Sequence, residues 1–311
     1  MTLEQLRIFV AVAEHLHMTR AARQLNLTQS AASAAIGALE ARYGTALFHR
    51  IGRGIALTEA GRMLQTQARA VLDHAADAER MLEELSGLKR GRLNIHASQT
   101  IANYWLPPRF HRFRQLYPNI ELRLTIGNTT QVAQAMVRGA ADLGFVEGPI
   151  DEPSLLHQPI VGDRLLLVVG IPHPWFGRHR LDPRRLSESD WVLREPGSGT
   201  RQMFETAVMA LRADPRSLRI VLELPSNEAV RSAVEAGAGA TVISELVVES
   251  SLRHGALHSI GLPIPRRDFA VLRHRDRYHS KAEDALLRLI AEDLAAPEAP
   301  SRPAQAAARD G

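Results

Sequence analysis

Three short segments of this chain carry hydroxyl and amide side chains where a small anion would need them. Ser98-Gln99-Thr100, Asn128-Thr129-Thr130 and Ser198-Gly199-Thr200 each follow a strand-like run and open a helix-like one. At such a junction the first helical N–H groups lack partners and the helix dipole adds positive potential, so an anion is favoured there. Arg194 and Arg201 flank the third segment. In an open α/β fold these junctions gather at the carboxyl ends of the strands, where ligands bind. Taken singly, each loop reads equally well as a helix cap. Three of them with added arginines read as a pocket for a small anion. Glu147 stands against this, because a carboxylate beside an anion repels it unless an arginine pairs with it or the ligand is protonated. Ser226-Asn227-Glu228 opens a fourth helix and makes Asn227 a candidate contact, although SNEAVRSAVEAGAGATVIS is complete as a capped helix, a glycine turn and a buried strand.

A second set of polar residues lies near the start of the chain. Ala21, Ala22 and Leu25 share one face of a short helix that Asn26 ends. Thr28 is suited to cap the next helix, in which Ala32, Ile36 and Leu39 recur at four and three. Gln29, Ser30, Ser33 and Ala34 fall on its opposite side. Small residues at a helix crossing and short polar residues at the start of the second helix are what a helix-turn-helix needs to enter the major groove. Upstream, Thr2 and Gln5 have capping-box spacing, and Leu3, Leu6, Phe9, Val10 and Ala13 supply a third helix. Downstream, Arg50, Gly52, Arg53 and Gly54 suit a turn that brings guanidinium groups to phosphates, as a wing would. An ordinary small helical bundle would show the same helix pattern without the wing.

Composition bounds the function. A chain of 311 residues can bury a large core in two or three domains, and its formal charge of only +4 excludes a polybasic nucleic-acid coat. Residues 1–60 hold six arginines against four glutamates, a modest local excess. The chain has no cysteine, which excludes disulfides, thiolate metal sites and thiol redox sensing and suits a reducing compartment. Its 13 histidines show no metal-ligand spacing and no HExxH, so no metal and no cofactor is expected. No apolar run approaches a membrane span and no signal-peptide pattern opens the chain, so the cytoplasm is expected and a membrane partner is not. PGSGT is neither a nucleophile elbow nor a P-loop, and no Ser–His–acid spacing stands out, which argues against an enzyme.

The elements that must position these residues follow in order. Leu64, Ala68, Val71, Ala75, Ala78, Leu82 and Leu85 alternate in steps of four and three, the seam of a coiled coil, with Arg69, Asp73, Asp77, Glu79 and Arg80 on solvated flanks. A lone helix packed on its own domain would read alike. Gly87 to Gly91 forms a hinge. Beyond it strands alternate with helices of about ten residues, which implies parallel sheets covered on both faces. Residues 296–311 read as a disordered tail.

LEQLRIFVAVAE at 3–14, TQSAASAAIGALE at 28–40 and LFHRIGRGIALTEAG at 47–61 together resemble the LysR-type transcriptional regulators, and the resemblance covers essentially the whole chain. It implies an N-terminal α winged helix-turn-helix (residues 1–60) and a linker helix with hinge (61–90). It further implies a C-terminal α/β sensor of two subdomains built like a periplasmic binding protein, 91–162 with 265–295 and 163–264. The implied partners are double-stranded DNA, a small anionic effector, further copies in a homodimer or homotetramer, and RNA polymerase. SQTIANYWLP, GNTTQVA, GFVEG and REPGSGTR resemble the branch that governs sulfur assimilation and carbon fixation. On that resemblance Ser98, Thr100, Thr129 and Thr200 would donate to an oxyanion such as sulfite, Gln99 could do so through its amide, and Arg194 or Arg201 would balance its charge. A phosphorylated or nicotinamide metabolite is the alternative effector. A small-molecule-binding protein of the solute-binding type is the remoter alternative, against which the DNA-reading head argues.

Where many members carry an arginine or glutamine after the serine matching Ser33, this chain has Ala34 and Ala35. No arginine or lysine lies between Gln24 and Ala41, so bidentate arginine–guanine contacts from this helix are absent. Thr28 caps the helix, base reading falls to Gln29, Ser30 and Ser33 with Ala34 against a thymine methyl, and Arg20, Arg23, Arg50 and Arg53 are left for phosphates. Weak half-sites make affinity depend on several heads binding together. Arg53→Ala is expected to weaken binding to all sequences and flatten the salt dependence, while Gln29→Ala changes sequence preference. Salt titrations of both variants check this, and an unchanged salt slope for Arg53→Ala removes its phosphate role.

Overall fold

The computed structural model describes residues 1–52, 54–85 and 91–295, with residues 80 and 83–85 described by backbone alone. Arg53, residue 86, residues 87–90 of the expected hinge and the tail 296–311 lie outside the described residues, and Gly91 at the hinge's expected end begins a strand. The described chain divides into two compact units, one of residues 1–85 with Asp276–Ser280, the other of residues 91–275 and 281–295.

The first unit opens with α1 (Leu3–His15), started by a reciprocal capping box between Thr2 and Gln5. α2 (Met18–Gln24) is followed by Asn26 at φ +57°, a left-handed turn that asparagine tolerates. Thr28 then accepts from Ala31 N–H and starts α3 (Gln29–Tyr43). Ala21, Ala22 and Ala32 are fully buried where these helices meet Phe9, Val12, Ile36 and Leu39. β1 (Phe48–Ile51) and β2 (Gly54–Leu57) pair antiparallel. Glu40 Oε1 fixes the entry to this hairpin by accepting from Leu47 N–H (2.7 Å) and Phe48 N–H (3.1 Å).

α4 (Glu59–Leu85) divides the heptad seam in two. Leu64, Ala68 and Leu72 pack into the unit's own core, whereas Val71, Ala78 and Leu82 are exposed. The flanks depart from the sequence reading, since Asp73 pairs with Arg277 and Asp77 is buried rather than solvated. The segment Asp276–Ser280 supplies these partners, and nothing local to the helix announces it.

In the second unit, β3 (Gly91–Ser98) leads through a π-helical turn at Ile101–Trp105 into α5 (Leu106–Leu116). Then come β4 (Ile120–Gly127), α6 (Thr129–Arg138), β5 (Leu143–Glu147) and β6 (Leu155–Asp163). The chain crosses to a second sheet with β7 (Leu165–Gly170), β8 (Asp190–Arg194), α7 (Gly199–Ala210), β9 (Arg219–Leu224), α8 (Asn227–Glu235), β10 (Ala240–Ser244), α9 (Glu245–Arg253) and β11 (Leu257–Ile260). It crosses back into β12 (Arg267–His274) and ends in α10 (Lys281–Ala295). The sheets run β4-β3-β5-β12-β6 and β11-β7-β10-β8-β9.

These sheets are mixed, which corrects the expectation of parallel ones. β3, β4 and β5 are parallel, as are β8, β9 and β10. β12 runs antiparallel to β5 and β6, and β7 antiparallel to β10 and β11. β7 and β12 are the first strands after each crossing and enter their sheets from the opposite end. Both faces of each sheet are covered along the central strands, while the edge strand β9 is exposed. Trp105, Phe113, Phe145, Phe269 and Leu286 fill one side of the first sheet, and Val132, Met136 and Leu272 the other. Trp175, Trp191 and Phe204 back the second sheet opposite Val168, Val230, Val234 and Ile243.

Thr241 breaks the apolar pattern of β10. It is 1% exposed, lies opposite Val168 in the sheet, and its Oγ1 has no hydrogen-bond partner among the described residues. An unpaired buried hydroxyl costs on the order of 1–3 kcal/mol. Thr241→Val, the same shape without the hydroxyl, is therefore expected to raise the melting midpoint of the full chain by roughly 2–4 °C. Calorimetry checks this, and a lower midpoint shows that the hydroxyl is used.

Candidate functional site

The candidate DNA-reading surface combines α2, α3 and the hairpin. A groove of about 450 Å³ is lined by His17 and Thr19, by Gln29 and Ser33 on α3, and by Arg50, Gly52 and Gly54 of the hairpin. Gln29, Ser30, Ser33 and Ala34 are exposed, while Thr28 and Ser30 share a hydrogen bond of 3.0 Å at the head of the helix. Arg20, Arg23 and Arg50 are exposed and make no ion pair among the described residues. Gly52 turns the hairpin at φ +57°. The sequence reading overlooked His17, whose Nδ1 accepts from Arg20 N–H and so caps α2 beside the groove.

The sensor loops do come together, but mostly with one another. Glu147 ends β5 fully buried. Its carboxylate accepts from Ser98 Oγ (3.1 Å), Thr200 Oγ1 (3.0 Å) and Arg267 Nη1 (2.8 Å). Of the four hydroxyls expected to hold a free oxyanion, those of Ser98, Thr100 and Thr200 thus hold the chain's own carboxylate, and that of Thr129 holds the Glu147 backbone carbonyl. Arg267 Nε and Nη2 also donate to Asp163 at 2.5 and 3.0 Å. Burial pushes the Glu147 carboxyl up, but the Arg267 guanidinium and the hydroxyls of Thr100, Thr200 and Ser98 outweigh it and leave the group below the ordinary glutamate value.

The two arginines expected to balance a ligand's charge are committed as well. Arg194 donates to both oxygens of Glu195 (2.8 and 2.9 Å) and to Asn227 Oδ1 (2.5 Å). Arg201 bridges Glu205 (2.8 Å) and Glu223 (2.6 Å). The paired carboxylates lie one, four and twenty-two positions away, and only the fold brings the last into range. Gln99 donates to Pro225 O (2.8 Å) and accepts from Asn227 N–H (2.9 Å). Asn227 Nδ2 reaches Thr100 Oγ1 (3.1 Å), so Asn227 is a bracket between the two sheets.

The loop Asn128-Thr129-Thr130 is used in part. Asn128 caps α6 through Gln131, and its Nδ2 donates to Glu195 (3.1 Å). Thr129 Oγ1 donates to Glu147 O (3.0 Å), and Thr130 N–H to Gly197 O (3.3 Å). Ser198 stands at the N-cap of α7 without a side-chain cap bond. Outside this bonded set lies a cavity of about 350 Å³, lined by Thr129, Thr130, Gln134 and Arg138 along α6, by Ile150, Asp151 and Glu152 after β5, and by Gln202 on α7. Gln134, Arg138 and Gln202 were not foreseen. Their signal is helical spacing, since positions 130, 134 and 138 succeed one another at four on one face of α6.

Gly199 shows how closely the sheets approach. A Cβ there would stand 2.1 Å from Glu147 O, whereas one on Gly37 of α3 would meet nothing within 4 Å. Gly199→Ala is therefore expected to lower the melting midpoint of the full chain, and Gly37→Ala to leave or raise it by reducing the freedom of the unfolded chain. Paired thermal melts check the contrast, and an unshifted Gly199→Ala midpoint refutes the close contact.

Comparison with known proteins places this geometry. Residues 3–62 match the model of the bacterial regulatory helix-turn-helix protein, lysR family, and residues 86–295 match the LysR substrate binding domain. YeiE, an HTH-type transcriptional regulator of Escherichia coli strain K12, is 35% identical over 283 residues, covering 90% of this chain and 94% of the relative. The RuBisCO operon transcriptional regulator of Allochromatium vinosum is 33% identical over 297 residues, covering 94% and 97%. The solved regulatory domain of CcmR from Synechocystis PCC6803 is 29% identical with a TM-score of 0.59, covering 65% of this chain and 97% of that domain. A helix-turn-helix head with an exposed polar helix and a two-sheet sensor, matched in sequence over both parts, makes this chain a DNA-binding transcriptional regulator of the LysR family.

Proposed function

We propose that a small anionic metabolite, seated between the two sheets of the sensor, switches how this regulator binds or bends DNA. The observation that carries the reading is the cavity of about 350 Å³, whose wall comes from α6 and the segment after β5 on one side and from Gln202 of α7 on the other. The Thr130 hydroxyl and the exposed Arg138 guanidinium line this cavity along α6, and Arg138 makes no ion pair among the described residues. Asp151 and Glu152, which share the lining, suit hydroxyl donors of a ligand better than a second charge. This favours a small metabolite with one anionic end and polar substituents. The CcmR regulatory domain was solved in complex with 2-PG, which fits that size class.

A bare sulfur oxyanion is the second reading. With Glu147 filling the hydroxyl cage, sulfite would have to sit beside Thr130 and Arg138 instead. In either case the DNA contacts are those of Gln29, Ser30, Ser33 and Ala34 to bases and of Arg20, Arg23, Arg50 and Arg53 to phosphates. The exposed half of the α4 seam is the surface for a second copy, in a homodimer or a homotetramer, and RNA polymerase is the downstream partner of a cytoplasmic regulator. Among the described residues no helix is long and apolar enough to cross a membrane.

Thermal shift of the full chain with 2-PG, sulfite, sulfate, thiosulfate, phosphate and NADPH separates these classes. Gel shifts on DNA upstream of its own gene then link binding to function. The expected result is a saturable shift with a phosphorylated or carboxylated anion that changes the gel pattern and is lost in Arg138→Ala. A response to NADPH alone overturns the small-anion reading.

A further inference from the structure

The buried set around Glu147 has the parts of an anion-binding site, with the anion supplied by the chain. Ser98 and Thr200 donate from opposite sheets, and Arg267 Nη1 reaches the same carboxylate. Glu147, Asp163 and Arg267 are 2%, 6% and 2% exposed, so no free ion screens them. Two carboxylates share one guanidinium, which leaves the set one formal negative charge and makes the hydroxyl donors necessary.

The position of this set matters as much as its chemistry. Arg267 opens β12 and Asp163 ends β6, and the two face each other in register where the chain crosses between sheets. Thr200, which donates to Glu147, and Ser244, which donates to Asp163, both belong to the second sheet's half. Each carboxylate of the first half is therefore held by a hydroxyl of the second. Any rotation between the halves must stretch or break these bonds.

We propose that Glu147 is a resident anion. It fills the hydroxyl–guanidinium cage in place of a free carboxylate, locks the floor of the cleft from within, and confines any external anion to the outer cavity. The inference rests on the reading of the junction between the sheets as the effector site. It adds that the effector acts against an internal competitor and that this one side chain sets which anions are admitted.

The test is Glu147→Ala in the full-length chain. Removing the carboxylate leaves Arg267 and Asp163 as a neutral pair beside a hole lined by Ser98, Thr100 and Thr200. Formate or acetate is expected to fill it and to raise the melting midpoint saturably in this variant, with no such response in the wild-type chain or with chloride at equal ionic strength. Without any added anion the variant is expected to give an altered footprint on operator DNA, which formate returns to the wild-type pattern. Glu147→Gln keeps the hole filled, so its altered footprint should not respond to formate.

A folded Glu147→Ala protein that ignores carboxylates overturns the proposal. So does a thermal response with an unaltered footprint, because that marks a purely structural ion pair. If Glu147→Ala does not fold, Thr200→Val removes the second sheet's donor while keeping the ion pair, and an unaltered footprint there also overturns it. Because these measurements use formate and no effector, failure of the effector panel on the wild-type chain is a separate result.

Discussion

The Arg267 guanidinium, clamped between Glu147 and Asp163, is the interaction on which the sensor half depends. A single cation reaches two carboxylates across neighbouring strands, and both are buried where water cannot compensate them. Removing the arginine would leave two like charges side by side in a medium of low polarity. The hydroxyls of Ser98, Thr200 and Ser244, the brackets of Gln99 and Asn227, and the close seat of Gly199 are all arranged around that centre. The functional consequence is a division of labour. Polar side chains deep in the junction hold the halves together, and those near its rim face an open cavity.

The DNA-reading half solves a different problem with less charge. Its α3 carries no cation before Arg42 in the last turn, and the exposed side chains at its start are the neutral Gln29, Ser30 and Ser33, with exposed arginines on α2 and the hairpin. Burial explains the alanine-rich sequence. Ala21, Ala22 and Ala32 let the two helices approach closely, and Ala34 and Ala38 leave the outer face smooth. α4 then passes from the core of its own unit to an exposed apolar face within a few turns.

What could be read from sequence follows how local each cause is. The caps at Thr2 and Thr28 and the helix end before Asn26 act within four residues, and they appear where the pattern put them. The heptad was half legible, because periodicity records that one face is apolar and not what covers it. β6 is hidden from such a pattern because it is an edge strand whose middle is exposed and carries Pro159, so it lacks both an apolar run and clean alternation. α9 is hidden because Ser244 both ends β10 and caps the helix, with no breaker between. The direction of β7 and β12 is invisible in alternating strands and helices. In the site, Glu147 stood out as a charge out of place, but its answer lay 120 positions away. Nothing in the dipeptide Arg266-Arg267 distinguishes the buried residue from its exposed neighbour except the register opposite Asp163.

The two crossings between the sheets, at residues 163–165 and 260–267, have a kinematic consequence. A body tied to another by a single strand can twist, tilt and slide. One tied by two strands side by side retains chiefly a bend about the line that joins them. Ligands that differ in size or chemistry would therefore displace the sensor along one shared coordinate and differ in how far they drive it. An output of this kind is graded by angle, and the identity of the ligand is lost in transmission. Selectivity would then rest on what the ligand site admits.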